Sequence, residues 1–180
     1  ALYRAKDQGR DNYQFFTSEM NTKLLNHLQL IKDLREATKH FDFHLVYQPQ
    51  INLKSGKLTG FEALIRWQHV QRGFVSPMTF IPAAEETGLI IPIGRWVITA
   101  ACQQLRLLCD QGIVDDTVVM TVNLSVKQFQ DEDLVNFVQT SLIKFQLKPG
   151  QFEVELTESV LMENLDDALL NLEALKSLGI

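Results

Sequence analysis

The chain has 180 residues, 46% of them apolar and 22% charged, which is enough for one domain with a buried core and ordinary for a globular protein. Its net charge of -5 repels polyanions, so coating of polymeric nucleic acid is excluded, and a small phosphate ligand would need a metal ion or a local arginine to hold it. No apolar run approaches the roughly 20 residues of a membrane span. Residues 1–10 mix charges with apolar positions and do not read as a signal peptide.

In chain order, Leu2, Tyr3 and Ala5 read as the end of a helix stopped by Gly9, and Tyr13, Phe15 and Phe16 as a short strand. So short a stretch cannot bury a core, so residues 1–20 read as the remnant of a preceding domain. Residues 24–39 form an amphipathic helix, with Leu24, Leu28, Ile31 and Leu34 at helical spacing, placed as a connector over 21–40. Residues 43–53 and 58–67 read as strands of a hairpin around the turn Lys54-Ser55-Gly56-Lys57. Ser76 and Pro77 open a helix that ends near Gly88. A further helix spans 93–111 with Gly112 as its stop. Then come a β-branched strand over 117–124, a helix over 131–145, a strand over 152–157 and a helix over 166–178. Cys102 and Cys109 lie two helical turns apart, roughly 10 Å, too far for a disulfide, and read as buried free thiols in a reducing cytoplasm.

Strands alternating with helices predict a parallel sheet with crossover helices, either open or part of a barrel; a complete (β/α)₈ barrel needs about 250 residues. Three of the strands carry an unexpected polar residue. Glu62 interrupts the apolar run 58–67, Asn123 ends Val118-Val119-Met120-Thr121-Val122, and Glu155 sits between Val154 and Leu156 with Glu158 just beyond. A buried carboxylate is costly unless it is paired or binds a metal. Two carboxylates and an amide oxygen on neighbouring strands make a hard-oxygen set suited to Mg²⁺ or Mn²⁺. Each has a plainer alternative: Glu62 as an edge residue, Asn123 as a turn cap, Glu158 as the first-turn acid of a helix, and Ser125 to Gln128 as a capping box.

Glu62-Ala63-Leu64, in the context Phe61-Glu62-Ala63-Leu64-Ile65-Arg66-Trp67, resembles the motif that names the EAL domain. Tyr47-Gln48-Pro49 precedes it. Phe80-Ile81-Pro82, Ala84-Glu85-Glu86-Thr87-Gly88, Asn123-Leu124-Ser125 and Glu155-Leu156-Thr157-Glu158-Ser159 come after it in the family's order. Ala1-Leu2-Tyr3-Arg4-Ala5-Lys6 with Gly9-Arg10 resembles the tail of a GGDEF domain, which makes cyclic di-GMP. The resemblance implies an α/β fold, part of a modified TIM barrel, with the front of an EAL domain over 41–180 and an upstream GGDEF domain in the same parent. It implies a cytoplasmic phosphodiesterase domain that hydrolyses cyclic di-GMP to pGpG with Mg²⁺ or Mn²⁺. Glu62, Asn123 and Glu155 would be metal ligands, Glu62 also catalytic, and Glu158 catalytic support. Arg66 would contact a ligand phosphate, a surface ion pair being its alternative, and Gln48 would lie near the ligand. A non-catalytic cyclic di-GMP receptor is the alternative reading. The family's pattern continues past Ile180 with paired aspartates and a lysine. The expectation is therefore that the 180 residues alone are inactive and either self-associate through the open sheet edge at 152–157 or are a piece of a longer chain, and that the parent is a homodimer or otherwise self-associates.

Overall fold

The computed structural model describes residues 18–156 and 165–180. The expected GGDEF remnant falls almost wholly outside them, as does Glu158. Helix α1 (Ser18–His40) leads into strand β1 (Phe43–Ile51), which pairs antiparallel with β2 (Leu58–His69) as the predicted hairpin. Its turn is held by Asn52, whose side-chain oxygen accepts from the Lys54 and Ser55 N–H groups, with Gly56 at φ 68°. Strand β3 (Gly73–Val75), helix α2 (Pro77–Thr87) and helix α3 (Ile90–Asp110) come after it. Next are β4 (Val119–Leu124), the one-turn helix α4 (Val126–Phe129), α5 (Leu134–Lys144), β5 (Phe152–Leu156) and α6 (Leu165–Ser177). Gly88 and Gly112, both at positive φ, stop α2 and α3 where the sequence predicts.

The sheet order is β1-β2-β4-β5, with β3 added to β2. The β2–β4 and β4–β5 pairs are parallel, as crossover helices require, whereas β1 and β3 run antiparallel to β2. The expected parallel sheet is therefore mixed, opened by a hairpin. β5 is the sheet's edge among the described residues.

Side chains alternate between the two faces of this sheet, and the faces differ in chemistry. Phe43, Ala63, Trp67, Met120, Val122, Leu124 and Phe152 lie beneath the helices and are buried. Trp67 meets Phe80 of α2 edge-on with ring centroids 5.6 Å apart, and Phe43 packs against both. Val97, Ile98, Ala101, Cys102 and Leu105 of α3 complete this layer. Burying a side chain of this size stabilises by about 1.5–3 kcal/mol, so the layer fixes strand register and with it the opposite, polar face.

Helix α1 corrects one expectation. Leu30, Leu34 and Ala37 form its buried face, while Leu24 and Leu28 are exposed. Asp33 attaches α1 to the β2–β3 turn: Arg72 Nε donates to its carboxylate at 2.8 Å and His69 lies 3.8 Å away. Burial acts to raise the Asp33 pKa, but hydrogen bonds from Arg72 and Gln29 outweigh it and hold the carboxyl below its usual range. Cys102 is buried and Cys109 partly so; both are free thiols, and burial pushes the Cys102 thiol up to about 12. No helix of the described residues is long and apolar enough to cross a membrane.

Candidate active site

Strand register brings six residues from four strands into one patch. Gln48 on β1 lies opposite Glu62 on β2, Glu62 opposite Thr121 on β4, and Thr121 opposite Glu153 on β5. One pleat further along, Asn123 lies opposite Glu155. Residues two apart along a strand share a face, so Gln48, Glu62, Thr121, Asn123, Glu153 and Glu155 all belong to the sheet face turned away from the helices.

Two contacts stitch this patch together. Asn123 Nδ2 donates to Glu62 Oε1 at 2.7 Å, and Thr121 Oγ1 donates to Glu153 Oε1 at 3.3 Å. The first joins residues 61 positions apart in sequence. Because the Asn123 nitrogen faces Glu62, the carbonyl oxygen of the same amide is the atom it has to offer a cation. Burial raises the Glu155 pKa, and the carboxylates of Glu62 and Glu153 raise it further. The site thus holds more negative charge than it can comfortably ionise, and a divalent cation would relieve that repulsion.

Glu62, Asn123 and Glu155, the three sequence-predicted ligands, are brought together. Their oxygens match the hard-donor chemistry of Mg²⁺ or Mn²⁺. Among the described residues no three His, Cys, Asp or Glu side chains form a metal-holding group. The candidate set here is two carboxylates with an amide. Sequence reasoning missed Thr121 and Glu153, although each lies two residues before a predicted ligand and so on its face.

Parallel pairing of β2 with β4 ends at Ala63 and Val122. Beyond it, β2 and the exit of β4 diverge around a cavity of about 300 Å³, roofed by α2 and α3. Asn123, Arg66, Glu85, Ser125 and Gln128 line it together with Phe80, Ile81 and Ile93. Arg66 is half-buried, and its Nη1 donates to the Ile65 carbonyl at 2.9 Å. The structure thus puts Arg66 at the same cavity as Asn123, while Gln48 is exposed on β1 across from Glu62. A larger, more open groove of about 740 Å³ between α1 and the end of α2 lies away from the carboxylates.

The model of the EAL domain family matches residues 31–180. The bifunctional diguanylate cyclase/cyclic di-GMP phosphodiesterase MucR of Pseudomonas aeruginosa is 44% identical over 180 residues, covering 100% of this chain and 26% of that protein. The cyclic di-GMP phosphodiesterase PdeR of Escherichia coli is 37% identical over 179 residues, covering 99% of this chain and 26% of that protein. Among solved structures, the PaMucR phosphodiesterase in complex with c-di-GMP superposes with a TM-score of 0.78 at 41% identity, over 84% of this chain and 61% of that one. The cGMP-bound form of the EAL enzyme Bd1971 gives 0.81 at 34% identity, over 88% and 44%. The chain spans about a quarter of the length of these curated relatives. Its mixed sheet and helices match those of EAL domain structures, which are TIM-barrel-like.

Proposed function

Because the chain belongs to the EAL domain family, we propose that it forms part of a phosphodiesterase that hydrolyses cyclic di-GMP to linear pGpG with Mg²⁺ or Mn²⁺. The observation that carries this reading is the convergence of Glu62, Asn123 and Glu155 on one sheet face, with Asn123 bonded to Glu62 at 2.7 Å. Glu62, Glu155 and the Asn123 amide oxygen would hold the cation. When bound, it supplies the positive charge that polarises a phosphoryl oxygen and acidifies a water. The chain's own residues then have three tasks. Glu62 and Glu155 would hold the cation beside Asn123 on the polar face of the sheet. Arg66 takes a phosphate oxygen through its planar, charge-assisted donors. The cavity beside Asn123, with apolar walls and a few polar groups, suits a flat purine ring. Glu158, outside the described residues, is assigned to support of a catalytic loop on the family's motif, and Gln48 to the ligand's neighbourhood.

Three oxygen donors are too few to fill the octahedral shell of even one such cation. We therefore assign the remaining ligands to the parent protein outside these 180 residues. The upstream partner is a GGDEF domain, a reading supported by the sequence of residues 1–10 and by the cyclase activity in the name of MucR.

The test is turnover of cyclic di-GMP by the full-length protein with Mn²⁺, with the product identified by chromatography. The expected outcome is pGpG from the full-length protein and none from the isolated 180 residues. Tight binding of cyclic di-GMP without turnover by the full-length protein would replace this reading with that of a receptor module.

A further inference from the structure

Asn123 is the penultimate residue of its strand, and something must fix the backbone where the chain leaves β4. The next residue but one, Ser125, caps the single turn of α4. Its hydroxyl is buried and, among the described residues, has no hydrogen-bond partner. The bond that forms runs the other way: the Ser125 backbone N–H donates to Oε1 of Gln128 at 3.0 Å. Gln128 is buried to 6% exposure, unusual for a glutamine.

That amide reaches its place because of a gap in a neighbouring helix. Position 94, a buried residue inside α3, is glycine, which a helix interior disfavours by roughly 1 kcal/mol against alanine. A Cβ there would lie 1.7 Å from Gln128 Nε2 and 2.7 Å from its Cδ. Gly94 and the Gln128 amide therefore occupy one space. The adjoining Arg95 reinforces the join, since its Nη2 meets the Asp131 carboxylate at 2.8 Å just past α4.

We propose that Gln128 is a positioning residue for Asn123, and that Gly94 is required because it admits the Gln128 side chain. The bond to Ser125 sets the direction in which the chain leaves β4, and so the aim of the amide two residues earlier. This inference rests on the metal-binding reading of Asn123 given above.

The test is Mn²⁺ affinity of the full-length protein, read by electron paramagnetic resonance of the bound ion, with circular dichroism as the check of folding. Loss of a partner behind a metal ligand typically weakens affinity about 10- to 100-fold. We expect Q128A and G94A each to fall in that range. The double variant G94A/Q128A should be no weaker than Q128A, because the added methyl then fills the vacated space. Q128E keeps an acceptor oxygen for the Ser125 N–H and should stay within about threefold of the parent. Losses from G94A and Q128A that multiply in the double variant overturn the inference. So does a folded G94A with parental affinity, or a tenfold loss in a folded Q128E, even where Q128A itself is too unstable to assay. N123A separates the two levels: parental Mn²⁺ affinity in N123A overturns the site reading and this inference together. Weakening in N123A with none in Q128A overturns this inference alone.

Discussion

Glu155 carries a cost to stability that the proposed cation site would explain. Burial and the neighbouring carboxylates of Glu62 and Glu153 raise its pKa above the usual 4.5. An acid whose pKa is higher folded than unfolded binds its proton more readily in the native state. Its contribution to stability is therefore present at low pH and is lost as pH rises from about 4.5 through the raised value. E155Q removes this penalty along with a cation ligand. In EDTA at pH 7.5 the variant should melt at a higher temperature than the parent, with the gap closing as pH falls toward 4.5. Mn²⁺ should then raise the parent's melting temperature and leave that of E155Q nearly unchanged. An E155Q that is less stable in EDTA, or that gains as much from Mn²⁺, contradicts the assignment. Glu62, Asn123 and Glu155 were legible in the sequence because an acid or amide inside an apolar strand is conspicuous. Gln128 was legible as the capping-box partner of Ser125, whose N–H it accepts at 3.0 Å, but its tie to Gly94 was not. A glycine in a helix and a glutamine in a capping box become linked only when tertiary packing puts them in one space.

The elements themselves were legible where period and punctuation agreed. The hairpin around Asn52 and Gly56, the start of α2 at Pro77 and the glycine stops at Gly88 and Gly112 all carry local signals. β3 did not, because three residues are too short to show a period, and α4 showed only the capping box from Ser125 to Gln128 at its start. In α1, Leu24 and Leu28 have helical spacing as good as that of Leu30 and Leu34, and spacing cannot tell which stripe meets a neighbour. One glycine makes an element-level prediction. Gly60 of β2 lies opposite Val119 of β4, and a Cβ at this position would stand 2.7 Å from the Val119 carbonyl oxygen and 2.8 Å from Gln50 Oε1. The first obstacle is backbone and cannot swing aside, so the strands would have to separate. G60A should cost about 1–3 kcal/mol in chemical denaturation, in the range of overpacked core sites. It should also weaken Mn²⁺ binding, because β2–β4 spacing sets the reach between Glu62 and Asn123. Unchanged stability would mean that the sheet relaxes there at no cost.

At the scale of the whole molecule, the two faces of one sheet divide the labour. The apolar face, from Phe43 to Phe152, holds the register, and the polar face inherits from that register a cluster of oxygen donors drawn from positions 62, 123 and 155. The fold class and the order of elements could be read from sequence. The antiparallel hairpin that opens the sheet could be read too, but the second antiparallel partner of β2, the three-residue β3, could not. The cavity between the diverging ends of β2 and β4 likewise exists only once α2 and α3 roof it. On the proposed reading, the cation would be held by the carboxylate charge of Glu62 and Glu155 rather than by the general acidity of the chain. Glu62→Gln keeps the side chain's shape and removes only that charge, which makes it the sharpest probe of the site. The measurement is the rate of conversion of cyclic di-GMP to pGpG by the full-length protein in Mn²⁺, parent against variant, with circular dichroism to show that both are folded. We expect a loss of at least about 100-fold, the upper end of what removal of a partner behind a metal ligand produces. A folded E62Q that turns over cyclic di-GMP at close to the parental rate would contradict the assignment of Glu62 to the cation.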